Sequence, residues 1–455
     1  MNKSVTAQGW VVTCRDQKEL TFLKINDGTH PAGLQVIVET VSIAAANFTV
    51  GSSLQIEGLV VESPAAGQLI ELKAARIEVL GNCEPSYPLT KSKMSLEYLR
   101  DYPHLRTRTS TFGSVFRIKS AISQATHAFW AQEGYLHLDP NIMTVNECEG
   151  GAGVFQVTEH DISVPSALPL CKEKYTDASG VSHTKITDRY DWNRDHFGKP
   201  VYLTVSSQLQ LEALACSLGS VYTMNKSFRS EHSSTNKHLS EFTHLEIETC
   251  FGDLDSLMTV AERYIKFIAT HLLTGAAADV ENLDRFVSKG LVARIQTIRD
   301  GPFHRVTYTE AIRIAQAAGK SIVFGDDLSS EIETALTVHY GGPVFVTEWP
   351  FAIKSFYMKQ TGDLCQNFDL LMPYKIGELI GGSMREERLD ILTAAMSTKG
   401  VLPESMKFYT DLRRYGTVPH GGFGLGFDRL TMLFTGMENI RDTVPFPVAY
   451  RSCDL

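Results

Sequence analysis

YTMNKSFRSEHSSTNKHLSEFTHLEIE, residues 222–248, holds two alternating segments around a polar interruption. Residues 222–231 and 239–248 each alternate apolar and polar side chains, the period of a strand with one face toward a core. HSSTNK between them cannot be a strand interior, so the stretch reads as two strands around a long polar loop. Arg229 and Glu231 lie two apart and are expected on one strand face. Lys226, His232, Lys237 and His238 surround them. An arginine fork holds carboxylate or phosphate oxygens in a plane. A neighbouring Glu accepts from an amine such as adenine's, and Phe242 offers a ring face for a base. Taken alone, these residues fit a polar hairpin with a surface ion pair equally well.

A second stretch bears on that choice. GGFGLGFDRLTMLFTGMENIRD, residues 421–442, carries Gly424, Gly426 and Arg429 into an amphipathic helix pattern. The glycines allow close approach of backbone to a ligand, and the arginine follows within about one helical turn. It is not the dinucleotide fingerprint, because Arg429 replaces the third glycine and no βαβ pattern surrounds it. Together with Phe228-Arg229-Ser230-Glu231, this run resembles motifs 2 and 3 of the class II aminoacyl-tRNA synthetases. The resemblance implies an α+β fold, with a catalytic domain on an antiparallel β-sheet flanked by helices.

A chain of 455 residues is expected to form two or more domains. Hydrophobic residues make up 43% and charged residues 21%, which suits a sizeable core and excludes wholesale disorder. No apolar run approaches the ~20 residues of a membrane span. The start, MNKSVTAQGWVVTCRD, passes directly into a strand pattern without a targeting segment. The eight cysteines form no C-x-x-C pair, which argues against a zinc ribbon or a disulfide framework. A reducing, cytoplasmic setting is expected. The net charge of −9 counts against non-specific coating of nucleic acid, although residues 86–108 are locally basic.

Residues 1–84 read as a five-stranded OB-fold barrel, with strands expected at 5–13, 20–27, 34–39, 53–62 and 69–79 and a short helix at 41–47. Phe22 is a candidate stacking platform and Gln35 a candidate base reader, although periodicity alone favours Phe22 in the core. Gln8-Gly9-Trp10, Arg15-Asp16, Phe22 through Gly28 and Leu34-Gln35-Val36 stand in the order found in the anticodon-binding domain of the aspartyl/asparaginyl/lysyl branch, which this segment resembles. That resemblance implies that Phe22 and Gln35 contact the tRNA anticodon. Residues 85–108 are expected to be a linker, and 109–455 the catalytic domain. A helix over 112–132, closed by Gly134 and followed by a strand from 135 to 140, resembles motif 1, which implies a homodimer.

Three further segments carry polar candidates. In residues 148–152 Glu149 stands among glycines and is suited to an ammonium group. Residues 159–196 read as an insertion with no assignable chemistry. A helix over 204–218 puts Gln208 and Glu212 one turn apart, ordinarily a solvated face. Residues 375–385 place Glu378, glycines and Arg385 together as a ligand wall. Further helices are expected over 253–273 and 305–318, and strands over 344–348 and 369–372.

The reaction implied by the resemblance is activation of an amino acid by ATP, then transfer to tRNA. The attacking carboxylate is already anionic, so positioning and charge neutralisation dominate. The resemblance implies Arg229 on the α-phosphate and substrate carboxylate, Arg429 on the γ-phosphate, Glu231 on the adenine amine and Phe242 on its ring. His238, Leu239 and Gly426 complete the nucleotide site, and Glu378 with Asp369 would hold Mg²⁺. The aspartyl enzymes of this branch carry a lysine where Leu211 stands here. Without it, and beside Glu212, a substrate carboxylate would cost several kcal/mol, whereas an amide can donate to Glu212 and accept from Arg385. What the resemblance implies is therefore L-asparagine as the expected amino acid and tRNA(Asn) as the expected partner. The alternatives are an aspartyl enzyme, a synthetase-derived asparagine synthetase and a non-catalytic RNA-binding relative.

Overall fold

The computed structural model describes residues 3–39, 48–64, 68–90, 94–145 and 153–454, with Ser405 by its backbone alone. The expected helix at 41–47 and the Glu149 segment lie outside the described residues.

Five strands close the N-terminal barrel: β1 (Lys3–Gln17), β2 (Leu20–Asn26), β3 (Leu34–Glu39), β4 (Ser53–Glu62) and β5 (Ile70–Gly81), in the order β1-β2-β3-β5-β4. β1 outruns the expected 5–13 because it serves two partners. Its first half pairs with β4 and its second with β2, around a bulge between Val11 and Thr13. Alternate residues fill the interior, among them Val11, Leu23, Ile25, Val36, Leu54, Ile56 and Leu72. Phe22 and Gln35 therefore point outward, so the core position that periodicity favoured for Phe22 does not hold.

The segment joining the two domains is docked rather than loose. Arg100 forks onto the Asp442 carboxylate at 2.9 and 2.7 Å. Arg106, wholly buried, donates to the carbonyls of Arg441, Val444 and Pro445. The basic character of residues 86–108 is thus partly spent on the C-terminal segment.

The second domain is built on an eight-stranded sheet. Its strands are β6 (Leu136–His137), β7 (Ser220–Phe228), β8 (Glu241–Cys250), β9 (His304–Thr307), β10 (Val344–Thr347), β11 (Asn367–Met372), β12 (Gly377–Met384) and β13 (His420–Gly426). They lie in the order β9-β10-β11-β12-β13-β8-β7-β6. The pairing is antiparallel except at the two edges, where β9–β10 and β6–β7 are parallel. α1 (Ser110–Gln132), capped by Thr109, and α3 (Leu254–Gly275), capped by Asp253, cover one face with a stripe of buried Ile, Phe, Tyr and Ala. α2 (Gln208–Leu218), α4 (Ser330–Tyr340), α5 (Lys407–Arg414) and α6 (Phe427–Thr435) complete the surroundings of the site.

Several expected elements differ: the helix expected over 204–218 begins at Gln208, and the strand expected over 135–140 is only Leu136–His137. Residues 305–307 belong to strand β9, not to a helix: Val306 pairs with Val346, and Thr307 caps the helix Tyr308–Ala317. β7 stops at Phe228, because the Ser230 N–H leaves the ladder for the Gly153 carbonyl at 2.8 Å. Arg229 and Glu231 accordingly stand in the loop and not on a strand face. Residues 159–196 contain an exposed hairpin, Leu170–Thr176 with Ser182–Tyr190.

Candidate active site

β8 organises the site through its period of two. Phe242, His244, Glu246 and Glu248 share one face, the first two at the outer end and the last two buried. In register beside them run Gly426, Gly424 and Gly422 of β13. A Cβ at Gly424 would lie 2.5 Å from His244 Nε2, and one at Gly422 would lie 2.5 Å from the Glu248 carboxyl carbon. These glycines make room for the side chains of the neighbouring strand, which is how a backbone-level opening arises here.

The outer end is an open cavity. Arg229, Glu231, His238, Leu239, Phe242, Glu378, Gly426 and Arg429, all expected at the nucleotide, line it together. Gly424 of the same run lines it too, as do Lys237 and His244, which the sequence did not single out for this role. The Arg229 guanidinium lies 5.6 Å from the Phe242 ring centroid, and Arg429 Nη1 donates to the Glu378 carbonyl at 2.8 Å. Burial and the Arg429 charge lower both His238 and Lys237.

Beside Glu378 the carboxylates gather. A Cβ on Gly381 would fall 3.1 Å from Glu378 Oε1 and 3.7 Å from Asp369 Oδ1, so both face one point above β12. Burial, with Glu378 adding, pushes the Asp369 carboxyl up to about 6 despite a 2.7 Å ion pair with Lys354. Burial and Glu378 push Glu333 of α4 up to about 7, against Lys237 and Arg429. Glu378 and Asp369, two carboxylates that face one point, offer the oxygen ligands that suit a hard divalent cation. Glu333 was not foreseen.

The inner end is centred on Glu212, which is fully buried, not solvated as a surface pair would be. It accepts from Gln208 Nε2 at 3.0 Å, Tyr409 Oη at 2.7 Å, Arg413 Nη2 at 3.0 Å and His420 Nε2 at 3.2 Å. Burial alone would raise this carboxyl, but the His420 hydrogen bond and the charges of Arg413 and Arg385 hold it well below the usual range. Arg385 pairs bidentately with Glu248, donates to Ser383 Oγ at 2.7 Å and lies 3.8 Å from Glu212. Two guanidinium groups thus face two carboxylates. Glu246, next outward, accepts from the Ser206 hydroxyl and the Ser207 N–H. Leu211, expected beside the substrate, packs instead with Ala215 and Val221 in a small apolar cluster. Consecutive helix residues point ~100° apart, so only Glu212 reaches the polar side.

On the barrel, Phe22 and Gln35 line one shallow groove with Thr13, Arg15, Gln17 and Lys24. Arg15 stands opposite Phe22 and Lys24 opposite Gln35.

An OB barrel joined to this sheet, with a motif-2 loop and a glycine–arginine strand–helix around one cavity, defines a class II aminoacyl-tRNA synthetase. The family of class II tRNA synthetases (D, K and N) matches residues 95–449, and the OB-fold nucleic acid binding domain matches 5–80. Asparagine–tRNA ligase of Microcystis aeruginosa is 41% identical over 100% of this chain and 97% of its own, and that of Geotalea uraniireducens 42% over 98% and 95%. The crystal structure of asparaginyl-tRNA synthetase from Pyrococcus horikoshii complexed with asparaginyl-adenylate superposes with a TM-score of 0.84 at 30% identity, covering 99% of this chain and 96% of that one. The chain belongs to the asparagine–tRNA ligase family.

Proposed function

We propose that the protein activates L-asparagine with ATP to asparaginyl-adenylate and transfers the asparaginyl group to tRNA(Asn). Phe242 carries the adenine ring, and Arg229 bridges the α-phosphate and the substrate carboxylate. Glu231 accepts from the adenine amine, His238, Leu239 and Gly426 wall the nucleotide, and Arg429 takes the γ-phosphate. Glu378 and Asp369, with Glu333 close by, would hold Mg²⁺. Bound there, the ion neutralises phosphate charge. Glu149, outside the described residues, takes the substrate ammonium. The attacking carboxylate needs no general base, so these residues act by holding two anions together against their repulsion.

The observation that carries the choice of amino acid is the charge balance around Glu212. Arg385 and Arg413 are already matched by Glu212 and Glu248. A substrate carboxylate would enter without a cation of its own, at a cost of several kcal/mol. An amide enters neutral, donates to Glu212 in the place of Gln208, and accepts from a remaining N–H of Arg385. Phe22 and Gln35 read the anticodon from the barrel groove. The protein works as a homodimer in the cytoplasm, its subunits meeting through α1 and β6. Among the described residues no helix is long and apolar enough to cross a membrane.

Charging of a tRNA(Asn) transcript with radiolabelled asparagine tests this reading. Asparagine is expected to be esterified and aspartate not, and Gln35→Ala is expected to raise the tRNA KM with little effect on adenylate formation. Charging with aspartate would overturn it.

A further inference from the structure

Cys216, near the end of α2, and Cys250, the last residue of β8, meet behind the amino-acid pocket. Cys250 Sγ donates to the Ala215 carbonyl at 3.2 Å, and the Cys250 N–H bonds the Gly219 carbonyl at 2.9 Å. The end of β8 is thereby held against the last turn of α2, with Cys250 Sγ on the carbonyl that leads into Cys216 and the two side chains interacting. Both are partly exposed. Their surroundings make them unequal. The neighbouring Cys250 side chain and the charges of His420 and Arg413 bring Cys216 down to about 6, against burial and Glu212. The bond to Cys216, burial and the Glu248 and Glu212 charges push Cys250 far up. A thiol lowered toward ionisation thus stands beside one held protonated, the pairing of nucleophile and resolving thiol.

We propose that Cys216 and Cys250 form a reversible disulfide that switches asparagine binding, an inference that rests on the asparagine-activating reading above. The oxidant is a hydroperoxide. The Cys216 thiolate attacks its O–O bond, so an S–O bond forms and the leaving oxygen departs as an anion that takes a proton from water. Cys250 Sγ then attacks the sulfenic sulfur. The S–S bond forms, the S–O bond breaks, and hydroxide leaves as water with the Cys250 proton. Two electrons pass from the sulfurs to the hydroperoxide, and a dithiol returns them.

The switch has a short mechanical path. Cys216 lies one helical turn beyond Glu212, and Cys250 lies two residues beyond Glu248 on the same strand face. Arg385 bridges those two carboxylates. An S–S bond of about 2 Å is shorter than any thiol hydrogen bond, so closure draws α2 toward β8 and shifts Glu212 against Arg385. The nucleotide cavity, at the other end of β8, is left in place.

The test uses the full-length enzyme, reduced and then exposed to hydrogen peroxide, with ATP–pyrophosphate exchange and non-reducing peptide mapping in parallel. The expected result is a peptide pair joined through Cys216 and Cys250, an asparagine KM raised roughly tenfold, an unchanged ATP KM, and recovery with dithiothreitol. Cys216→Ser and Cys250→Ser should each match the reduced enzyme and lose the response. Three results would overturn the proposal: no joined pair, a joined pair with the asparagine KM unchanged, or a response that survives in both variants. No exchange with asparagine in the reduced enzyme would instead overturn the functional reading, and the mapped linkage would then judge the disulfide by itself.

Discussion

Glu212 shows what single residues do in this pocket. A carboxylate offers about four acceptor positions, and Gln208, Tyr409, Arg413 and His420 occupy them. Tyr409→Phe removes one buried donor without opening a cavity. The expected cost is about 1–3 kcal/mol in asparagine binding, read as a rise of roughly ten- to a hundredfold in asparagine KM with the ATP KM unchanged. Pyrophosphate exchange over both substrates checks this. Glu212→Gln is expected to do more, because it leaves Arg413 and Arg385 buried against one carboxylate fewer; a loss of about 3–5 kcal/mol in stability is the outcome to look for in denaturant unfolding. The residues of the outer cavity were legible in the sequence because Arg229, Glu231 and Phe242 fall within one loop and its strands, and Gly426 and Arg429 within one short run. Tyr409 and Arg413 were not. They stand 197 and 201 positions from Glu212, and no local pattern announces a contact of that span. Leu211 misled for a related reason: the neighbouring position along a helix is the neighbouring face in space, not the same one.

Among the elements, β13 has the least freedom to change. Its glycines face side chains at all three site positions, closely at Gly422 and Gly424, and backbone as well at Gly422. A Cβ at Gly422 would sit 2.0 Å from the Ile247 carbonyl oxygen, whereas one at Gly424 meets the His244 ring at 2.5 Å. A ring can rotate aside, but a ladder carbonyl cannot move without breaking strand pairing. Gly422→Ala is therefore expected to destabilise the protein by about 3 kcal/mol or more, with a clear loss in Tm. Gly424→Ala is expected to keep most of the Tm and raise the ATP KM by displacing His244 into the cavity. Equal Tm losses would contradict this ordering. At this scale the sequence revealed the glycine run but not its use, since which neighbour fills the space depends on β8 lying in register with β13. The strand β9 escaped notice for a similar reason. Four residues before a good helix pattern look like its first turn until the parallel pairing of Val306 with Val346 is known.

For the whole molecule, the two domains and their order followed from the chain alone, because the barrel's alternation and the synthetase motifs are each local. The docking of the segment between them did not, since it runs through Arg100 and Arg106 to carbonyls and a carboxylate at the far end of the sequence. Charge gives the molecule a pH-dependent property. Asp369 and Glu333 have folded values of about 6 and about 7, above the 3.8 and 4.5 of the free groups. Both are raised, so their contribution to stability is full below the unfolded values and is lost as pH rises through the folded ones. A cation that binds the ionised forms should reverse the loss. MgCl2 is expected to raise Tm more at pH 8 than at pH 5.5, and thermal unfolding at the two pH values would show an equal shift if these carboxylates do not hold the ion. The central claim concerns which amino acid the charge-balanced pocket accepts. ATP–pyrophosphate exchange, run in parallel with asparagine and with aspartate in the presence of Mg²⁺, tests it most directly. Exchange with asparagine and silence with aspartate is the predicted result. Exchange with aspartate, or silence with both from a folded enzyme, would contradict the account.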